Sequence, residues 1–334
     1  MSYSNHFGQK EPPGQNSLTM RILIIGGCGF VGGRLAVHLA EGGHEIMLGS
    51  RHACHAPFWL PQAAMVQIEW DNASALERCC KGVDLVIHAA GMNAQECAMD
   101  PVSALTFNGV ATTRLVWAAI RSGVARFIYF STAHVYASPL VGIITEESCP
   151  RNLHPYATSH LAGEQAVLSA SKQAQMEGIV VRLSNAFGAP MQKEVNCWML
   201  LVNDLCQQAV ETRKLVLQTS GLQHRDFIGL TSVCRVVEAL ALNTQSRQSV
   251  VCNVGSGVSQ SLLAMTQQIQ QRCAQVLGFE PELQRVQSTL YEHYPEFTFR
   301  TDNLAAFGIN SESLDVSAEI DSLLRFCHSS FIRL

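Results

Sequence analysis

From Met20 onward, the chain alternates short apolar runs rich in β-branched residues with longer segments in which apolar residues recur every three or four positions. Runs of the first kind are typical of buried strands, and segments of the second kind are typical of amphipathic helices. Helical periodicity is clearest over residues 31–40 and 104–121. The predicted strands are Arg21–Ile25, Glu45–Leu48, Met65–Ile68, Leu85–Ala89, Phe127–Phe130 and Ile179–Leu183. This alternation predicts an α/β fold, a doubly wound parallel sheet with helices on both faces.

The pattern of apolar and polar residues divides the chain into three regions. Residues 1–19 contain no apolar run, two adjacent prolines and two glycines, which predicts a flexible N-terminal tail because little surface can be buried to offset the ordering entropy. Residues 20–190 carry the alternating pattern of the sheet domain. Longer helices and scattered short strands predict a smaller C-terminal lobe over residues 191–334, with some segments returning to the sheet domain. In such folds the ligand lies beyond the carboxyl ends of the strands, so the lobe is expected to border the site.

Composition and charge narrow the possible functions. Charged residues make up 15% of the chain, and 23 Lys and Arg against 27 Asp and Glu give a net charge of −4. This balance argues against a disordered chain and against a strongly basic surface for nucleic acid. No uninterrupted apolar stretch approaches the roughly 18 residues that a membrane-spanning helix needs. Twelve scattered cysteines indicate reduced thiols of a cytoplasmic protein. His52, Cys54 and His55 lie close in sequence without a second ligand pair, so no metal is predicted.

The first predicted strand runs directly into the segment GGCGFVGG, in which Gly26, Gly29 and Gly32 have the spacing GxxGxxG. Glycine permits a positive φ and a close approach of the backbone to a pyrophosphate, and the following helix offers free N–H groups and a favourable dipole. Because the segment follows a β-branched strand and opens an amphipathic helix, it predicts a dinucleotide-binding site that includes Phe30 and Val31.

The end of the second strand bears on which dinucleotide is bound. A site for NAD usually offers an acidic residue there to the ribose 2′-hydroxyl. This chain has Ser50 and Arg51 instead, and a hydroxyl beside a guanidinium suits a 2′-phosphate. NADP is therefore predicted, with NAD as the alternative if Arg51 is a solvated loop residue. Asp71, after the third strand, is placed to cap the adenine edge or to serve as an ordinary turn residue, and Asn72 beside it belongs to the predicted cofactor site.

Several further motifs follow in a fixed order along the chain. They are HAAG at residues 88–91, Asn108, FSTAHVY at 130–136, HPYATSHLAGEQ at 154–165, VRLSNAFGAP at 181–190, QHRDFIGLTSV at 223–233 and CNVGSG at 252–257. Together they resemble the extended short-chain dehydrogenase/reductase family, the branch of NAD(P)-dependent nucleotide-sugar epimerases, dehydratases and reductases. The resemblance covers nearly all of residues 20–310.

The resemblance implies a Rossmann-like NAD(P)-binding domain, a C-terminal substrate-binding lobe and a homodimer formed by helices near residues 101–122 and 156–172. By the same resemblance Tyr156 is the proton donor and acceptor, and Thr132 hydrogen-bonds the reacting oxygen. The implied cofactor contacts further along the chain are Ala89, Ala90, Gly91, Tyr156 and His160. The implied substrate contacts are Asn108, Thr132, Ala133, His134, Asn185 and Arg225. Arg225 would hold a substrate diphosphate, the alternative being an ion pair with Asp226.

One position departs from the family pattern. The family places a lysine four residues after the tyrosine, where this chain has His160. A permanent charge there stabilises the tyrosine phenolate, whereas a histidine with a pKa of about 6.5 is largely neutral at pH 7. His160 can still hydrogen-bond the nicotinamide ribose. Three interpretations remain open: an enzyme tuned to a different pH, a slow enzyme, or a dinucleotide-binding sensor or scaffold without catalysis.

The residues after Thr132 bear on the reaction type. Dehydratases and decarboxylases of the family place acidic groups there, because their reactions need an additional acid, base or carboxylate. This chain has Ala133 and His134, which favours plain carbonyl/alcohol interconversion. The resulting hypothesis is a nucleotide-sugar epimerase or 4-ketoreductase, and the alternative enzyme is a reductase of a non-sugar carbonyl.

Overall fold

The computed structural model describes residues 19–173, 176–243, 249–287, 295, 297–309 and 316–332. Of the expected tail at residues 1–19, all but Thr19 lies outside the described residues. The strands are β1 (Arg21–Ile25), β2 (Glu45–Ser50), β3 (Ala64–Gln67), β4 (Leu85–His88), β5 (Arg126–Thr132), β6 (Gly142–Ile144), β7 (Glu177–Leu183), β8 (Asn185–Phe187), β9 (Lys214–Leu217), β10 (His224–Gly229), β11 (Val250–Val254), β12 (Ser259–Ser261), β13 (Glu282–Arg285) and β14 (Phe297–Phe299). The helices are α1 (Phe30–Glu41), α2 (Ala73–Cys80), α3 (Ala94–Met99), α4 (Pro101–Ala104), α5 (Thr112–Arg121), α6 (Pro155–Gln173), α7 (Leu201–Thr212), α8 (Leu230–Leu242), α9 (Leu262–Leu277), α10 (Asp302–Ala306) and α11 (Val316–Phe331).

The central sheet has seven parallel strands in the order β11-β7-β5-β4-β1-β2-β3. The order reverses between β1 and β4, and at such a switch point two crossovers leave in opposite directions and open a crevice beyond the strand ends. Apolar side chains bury both faces of the sheet. One core includes residues of α1 and α8 such as Leu35 and Val233, and the other includes residues of α2, α5 and α6 such as Leu76, Leu115 and Val167. The predicted Rossmann-like, doubly wound α/β fold is confirmed.

One late segment and one helix go beyond the predicted pattern. Strand β11, which was not among the predicted strands, is a C-terminal segment that returns to the sheet domain and completes the sheet beside β7. The helix predicted over residues 104–121 is interrupted by wide π-helical turns at Leu105–Ala111. Helix α6 packs against these turns: a Cβ on Gly109 would lie 3.3 Å from the Cβ of Ala162, and Asn108 donates a hydrogen bond to Ser159. The helical period alone could not reveal this interruption, because it depends on contacts with α6.

The C-terminal lobe has its own apolar core, formed largely by α7, α9 and α11. Short sheets connect it to the sheet domain, with strand orders β12-β10-β8, β13-β9 and β14-β6. Glu319 of α11 is buried and ion-paired with Arg34 of α1, and it accepts a hydrogen bond from the backbone of Thr231. The lobe is thereby tied to the helix that follows the glycine-rich segment. Within the described part of the chain, no helix is long and apolar enough to cross a membrane.

A buried ion pair fixes α6 to the sheet. The carboxylate of Glu164 on α6 is fully buried and receives two hydrogen bonds from Arg182 of β7, at 3.0 and 2.7 Å, and one from the hydroxyl of Ser131. The guanidinium of Arg182 also lies 4.7 Å from the centre of the Tyr136 ring. The Tyr136 hydroxyl donates to Asn253 of β11 at 2.7 Å. Four elements therefore share one hydrogen-bonded network around a single carboxylate.

We predict that Glu164→Gln lowers the free energy of unfolding by about 3–5 kcal/mol, because it leaves the buried guanidinium of Arg182 without a compensating charge. Glu77→Gln is the control: Glu77 forms a more exposed ion pair with Arg121, and its loss should cost about 1 kcal/mol or less. Equilibrium unfolding in urea measures both changes. Equal losses in the two variants would show that the buried pair does not anchor the helix.

Candidate active site

A cleft of about 960 Å³ opens beyond the ends of β1, β2 and β4. Predicted cofactor residues line it: Gly26, Gly29, Phe30, Val31, Ser50, Arg51, Asp71, Ala89, Ala90 and Gly91. Gly26 has a φ of +81°, and a Cβ there would lie 2.8 Å from the backbone nitrogen of Ala90. Gly32 is buried behind the cleft, where a Cβ would lie 2.2 Å from the carbonyl oxygen of Gly26. The first turn of α1 has no side-chain cap, so its N–H groups can bind a phosphate.

The predicted residues at the adenosine end take different positions. Arg51 is exposed, and the Ser50 hydroxyl accepts a hydrogen bond from the backbone of His52 at 3.3 Å. Asp71 borders the cleft in an exposed ion pair with Arg114. Asn72 caps α2 by accepting from the backbone of residue 75, and it is not among the residues that line the cleft.

Sequence reasoning missed two aromatic residues of this cleft. Trp70 and Phe107 line it with their ring centroids 5.3 Å apart, edge to face. Such rings offer apolar surface to a flat base. The available signal was a tryptophan directly before Asp71, at the end of the segment that follows β3.

Thr132, Tyr156 and His160 come together near one wall of the cleft, although none of the three is among the residues that line it. Thr132 ends β5, and Tyr156 and His160 lie one turn apart at the start of α6. The Thr132 side chain hydrogen-bonds Tyr156, and the Tyr156 and His160 rings are 4.7 Å apart, edge to face. His160 lies against Gly91, which lines the cleft, and a Cβ on Gly91 would lie 3.3 Å from the His160 Nε2.

Both ring groups are uncharged at neutral pH. Burial lowers the pKa of His160 to about 4. Burial also raises the pKa of Tyr156 above its usual value near 10, and the hydrogen bond from Thr132 opposes that rise. Tyr156 therefore carries its proton at pH 7, and His160 supplies no charge that would remove it. The pair is arranged to give a proton rather than to take one.

Asn108 is 1% exposed, and its side chain is occupied within the protein. Its Oδ1 accepts from the backbone of Met92 at 3.0 Å, and its Nδ2 donates to Ser159 of α6 at 3.0 Å. Asn108, a predicted substrate contact, thus connects the segment after β4 to helix α6. It is not among the residues that line the cleft.

The remaining predicted substrate residues lie on the side of the C-terminal lobe. Ala133 is buried in a short helical turn and His134 is half-buried; the pKa of His134 is lowered by burial, and then by Arg225 and His154. Asn185 donates to the backbone carbonyl of Asp226 at 2.8 Å.

Arg225 and Asp226 point to different environments. Arg225 is exposed, whereas Asp226 is fully buried. The Asp226 carboxylate accepts hydrogen bonds from the hydroxyls of Ser184 and Ser256. The alternative of an intramolecular pair between Arg225 and Asp226 is therefore not what the structure contains, and no ion pair of Arg225 is found among the described residues.

Comparison with known proteins gives a consistent picture. The model of the NAD dependent epimerase/dehydratase family matches residues 22–255. The chain is 30% identical over 244 residues to dTDP-6-deoxy-L-talose 4-dehydrogenase (NAD(P)(+)) of Kitasatospora kifunensis. The matched region covers 71% of this chain and 74% of that protein. It is 26% identical over 282 residues to dTDP-D-glucose 4,6-dehydratase of Mus musculus, with 80% and 77% covered.

Solved structures share the architecture. TunA, an NAD-dependent NDP-hexosamine 5,6-dehydratase, superposes with a TM-score of 0.74 at 25% identity over 93% of this chain and 98% of that chain. UDP-glucose 4-epimerase of Thermotoga maritima, solved with UDP-glucose, gives a TM-score of 0.77 at 16% identity over 94% and 100%. At that identity the second comparison concerns the fold alone.

Proposed function

The chain belongs to the NAD-dependent epimerase/dehydratase family, and from that premise we propose that it interconverts a carbonyl and an alcohol on a nucleotide-linked sugar, as a 4-ketoreductase or epimerase. The observation that carries the proposal is the grouping of Thr132, Tyr156 and His160 beside the cleft at Gly91. A nicotinamide dinucleotide bound there supplies the electron pair and the hydrogen that reduce a carbonyl carbon. The protein must supply the proton.

We assign that proton to Tyr156. In reduction, its hydroxyl gives the proton to the carbonyl oxygen as the alcohol forms, and the Thr132 hydroxyl hydrogen-bonds the same oxygen. The raised pKa of Tyr156 keeps the acid form populated at neutral pH, which suits reduction. Oxidation of the alcohol needs the phenolate and is therefore favoured by alkaline pH.

The residues beside Thr132 support redox chemistry without elimination. A dehydratase must also remove a proton from carbon and expel a hydroxyl, which requires a further acid and base. Ala133 offers neither, and burial keeps His134 largely neutral by lowering its pKa. The similarity to a 4-dehydrogenase supports the same reaction type.

The cleft fits a dinucleotide, because the glycines leave room that a Cβ would fill and the first turn of α1 is uncapped. We propose NADP as the preferred form, with Ser50 and Arg51 holding the 2′-phosphate. The exposed Arg225 supports a contact with the substrate diphosphate, since a guanidinium binds phosphate oxygens in pairs.

One observation favours a second candidate. The neutral His160 removes the charge that would lower the pKa of Tyr156, and a protein that binds a dinucleotide without catalysis would tolerate such a change. The second candidate is therefore a dinucleotide-binding sensor or scaffold with weak or no turnover.

The cysteines bear on the cellular compartment. All twelve are free thiols, and most of them are buried. Burial raises the pKa of Cys80, Cys234 and Cys252 to about 12, so these thiols stay protonated and unreactive. Free thiols in this number support a reducing compartment, and we propose the cytoplasm.

Arg51→Asp is predicted to weaken NADP binding at least tenfold and to reverse the preference toward NAD, because repulsion of the 2′-phosphate replaces attraction. Isothermal titration of both dinucleotides measures the ratio of affinities. Arg325→Asp, at an exposed arginine of α11, controls for the change in net charge and should leave the ratio unaltered. Tighter binding of NAD than of NADP by the unmutated protein would refute the assignment.

The rate of alcohol oxidation is predicted to rise with pH into the alkaline range, because burial raises the pKa of Tyr156, and the rate of reduction is predicted to stay level through neutrality. His160→Lys places a positive charge about 5 Å from the phenol, which lowers the pKa of Tyr156 by roughly two units at an effective dielectric constant of about 20. The oxidation limb should move to lower pH by a similar amount. Tyr156→Phe should abolish turnover and leave dinucleotide binding nearly intact. An unchanged rate in Tyr156→Phe would favour the sensor or scaffold.

A homodimer is proposed through the run of helix from α4 to α5 together with α6. Val102, Leu105, Val110 and Trp117 expose apolar surface along this run, whereas Leu115 and Val116 of α5 are buried against the sheet. An exposed apolar face of this kind is typical of surfaces that dimers bury.

Light scattering at micromolar concentration should give twice the chain mass of 36.5 kDa. Val110→Glu should shift the population toward the monomer, because it buries an unpaired charge at the interface. Val258→Glu, at an exposed valine of the C-terminal lobe, should leave the dimer intact. A mass of 36.5 kDa for the unmutated protein would contradict the proposal.

A further inference from the structure

A line of buried polar side chains extends behind His160 into the sheet domain. His88 Nε2 lies 3.0 Å from Thr112 Oγ1, the Thr112 hydroxyl hydrogen-bonds Tyr129, and the Tyr129 hydroxyl lies 3.1 Å from His160 Nδ1. All four side chains are at most 5% exposed. They come from β4, α5, β5 and α6, so each element contributes one link. The proposed proton transfer uses none of the four directly, and only His160 contacts Tyr156.

The buried end of this line fixes the direction of its hydrogen bonds. Burial lowers the pKa of His88 to about 3, so the ring is neutral and carries one hydrogen. Its Nδ1 has no partner among the described residues. A buried N–H without an acceptor is rarer than a bare acceptor, so the hydrogen lies on Nε2 and is donated to Thr112. The Thr112 hydroxyl is then free to donate to Tyr129.

The Tyr129 hydroxyl has one hydrogen and can donate it to one acceptor. Two acceptors lie within reach, namely His160 Nδ1 at 3.1 Å and the backbone carbonyl of Asn108 at 3.4 Å. The imidazole nitrogen is both closer and more basic, so it forms the stronger bond. With Nδ1 as acceptor, the one hydrogen of neutral His160 lies on Nε2, the nitrogen beside Gly91 at the cleft.

We propose that Tyr129 is a positioning residue that holds His160 with Nε2–H directed into the dinucleotide cleft. Successive hydrogen bonds with one direction polarise each other, so the line strengthens the donor at its open end. Building on the proposed function, the acceptor is a hydroxyl oxygen of the nicotinamide ribose. Gly163 leaves space for the Tyr129 hydroxyl, since a Cβ on residue 163 would overlap the hydroxyl oxygen.

The test uses protein labelled with ¹⁵N in its histidines, with His160→Gln identifying the His160 resonances. Couplings from the ring nitrogens to the ring carbon-bound protons show which nitrogen carries the hydrogen. In the unmutated protein we expect the hydrogen on Nε2 and a Nδ1 resonance shifted by an accepted hydrogen bond. Tyr129→Phe removes one oxygen and should move the Nδ1 resonance to the position of an unbonded nitrogen. Dinucleotide affinity should fall about fivefold, as expected for loss of one orienting hydrogen bond.

Tyr136→Phe is the matched control, because Tyr136 is an equally buried tyrosine whose hydroxyl donates to Asn253. It should leave the His160 resonances in place. If Tyr129→Phe does not fold, Thr112→Val should shift the Nδ1 resonance in the same direction by a smaller amount. A hydrogen on Nδ1 of the unmutated protein, or unchanged resonances and affinity in Tyr129→Phe, would overturn the role of Tyr129. A different result would overturn the proposed function instead: the unmutated protein carries the His160 hydrogen on Nε2 but binds no dinucleotide.

Discussion

The buried carboxylate of Glu164 imposes the constraint on which the geometry of helix α6 and the candidate site depends. An ionised group without solvent must meet a countercharge and donors in fixed positions, and Arg182 and Ser131 provide them from β7 and β5. The pairing sets the depth and rotation of α6 against the sheet. Tyr156 lies two turns away on the same helix, and its side chain hydrogen-bonds that of Thr132 at the end of β5.

The same close packing explains the electrostatics of the site. Helix α6 approaches β5 and the π-helical turns so tightly that His160 and Tyr129 are shielded from water. Burial then holds the His160 ring neutral with a pKa of about 4, and a neutral ring can contribute direction but no charge. In the proposed reaction, this arrangement suits the delivery of a proton from Tyr156 more than its removal.

How much the sequence could predict depended on whether a feature is local. The strands around β1 and the glycine turn were predictable, because their apolar runs and Gly26 are tied to the local backbone. The resemblance of ordered motifs to a known family allowed the prediction that Tyr156 and Thr132 share one site. The position of β11 and the π-helical turns depend on packing between distant segments. In the sequence, Tyr129 looks like one more apolar residue of a strand. Its contact, His160, is 31 residues further along the chain, so no local pattern could reveal it.

The central claim is that a carbonyl carbon on a nucleotide-linked sugar is reduced in this cleft. The most direct measurement incubates the protein with NADPH deuterated at C4 of the nicotinamide and a panel of nucleotide 4-keto sugars, followed by mass spectrometry and NMR of the products. The account predicts one deuterium at C4 of the product sugar, delivered from a single face of the nicotinamide. Bound NADPH with no transfer of deuterium to any sugar of the panel would contradict it.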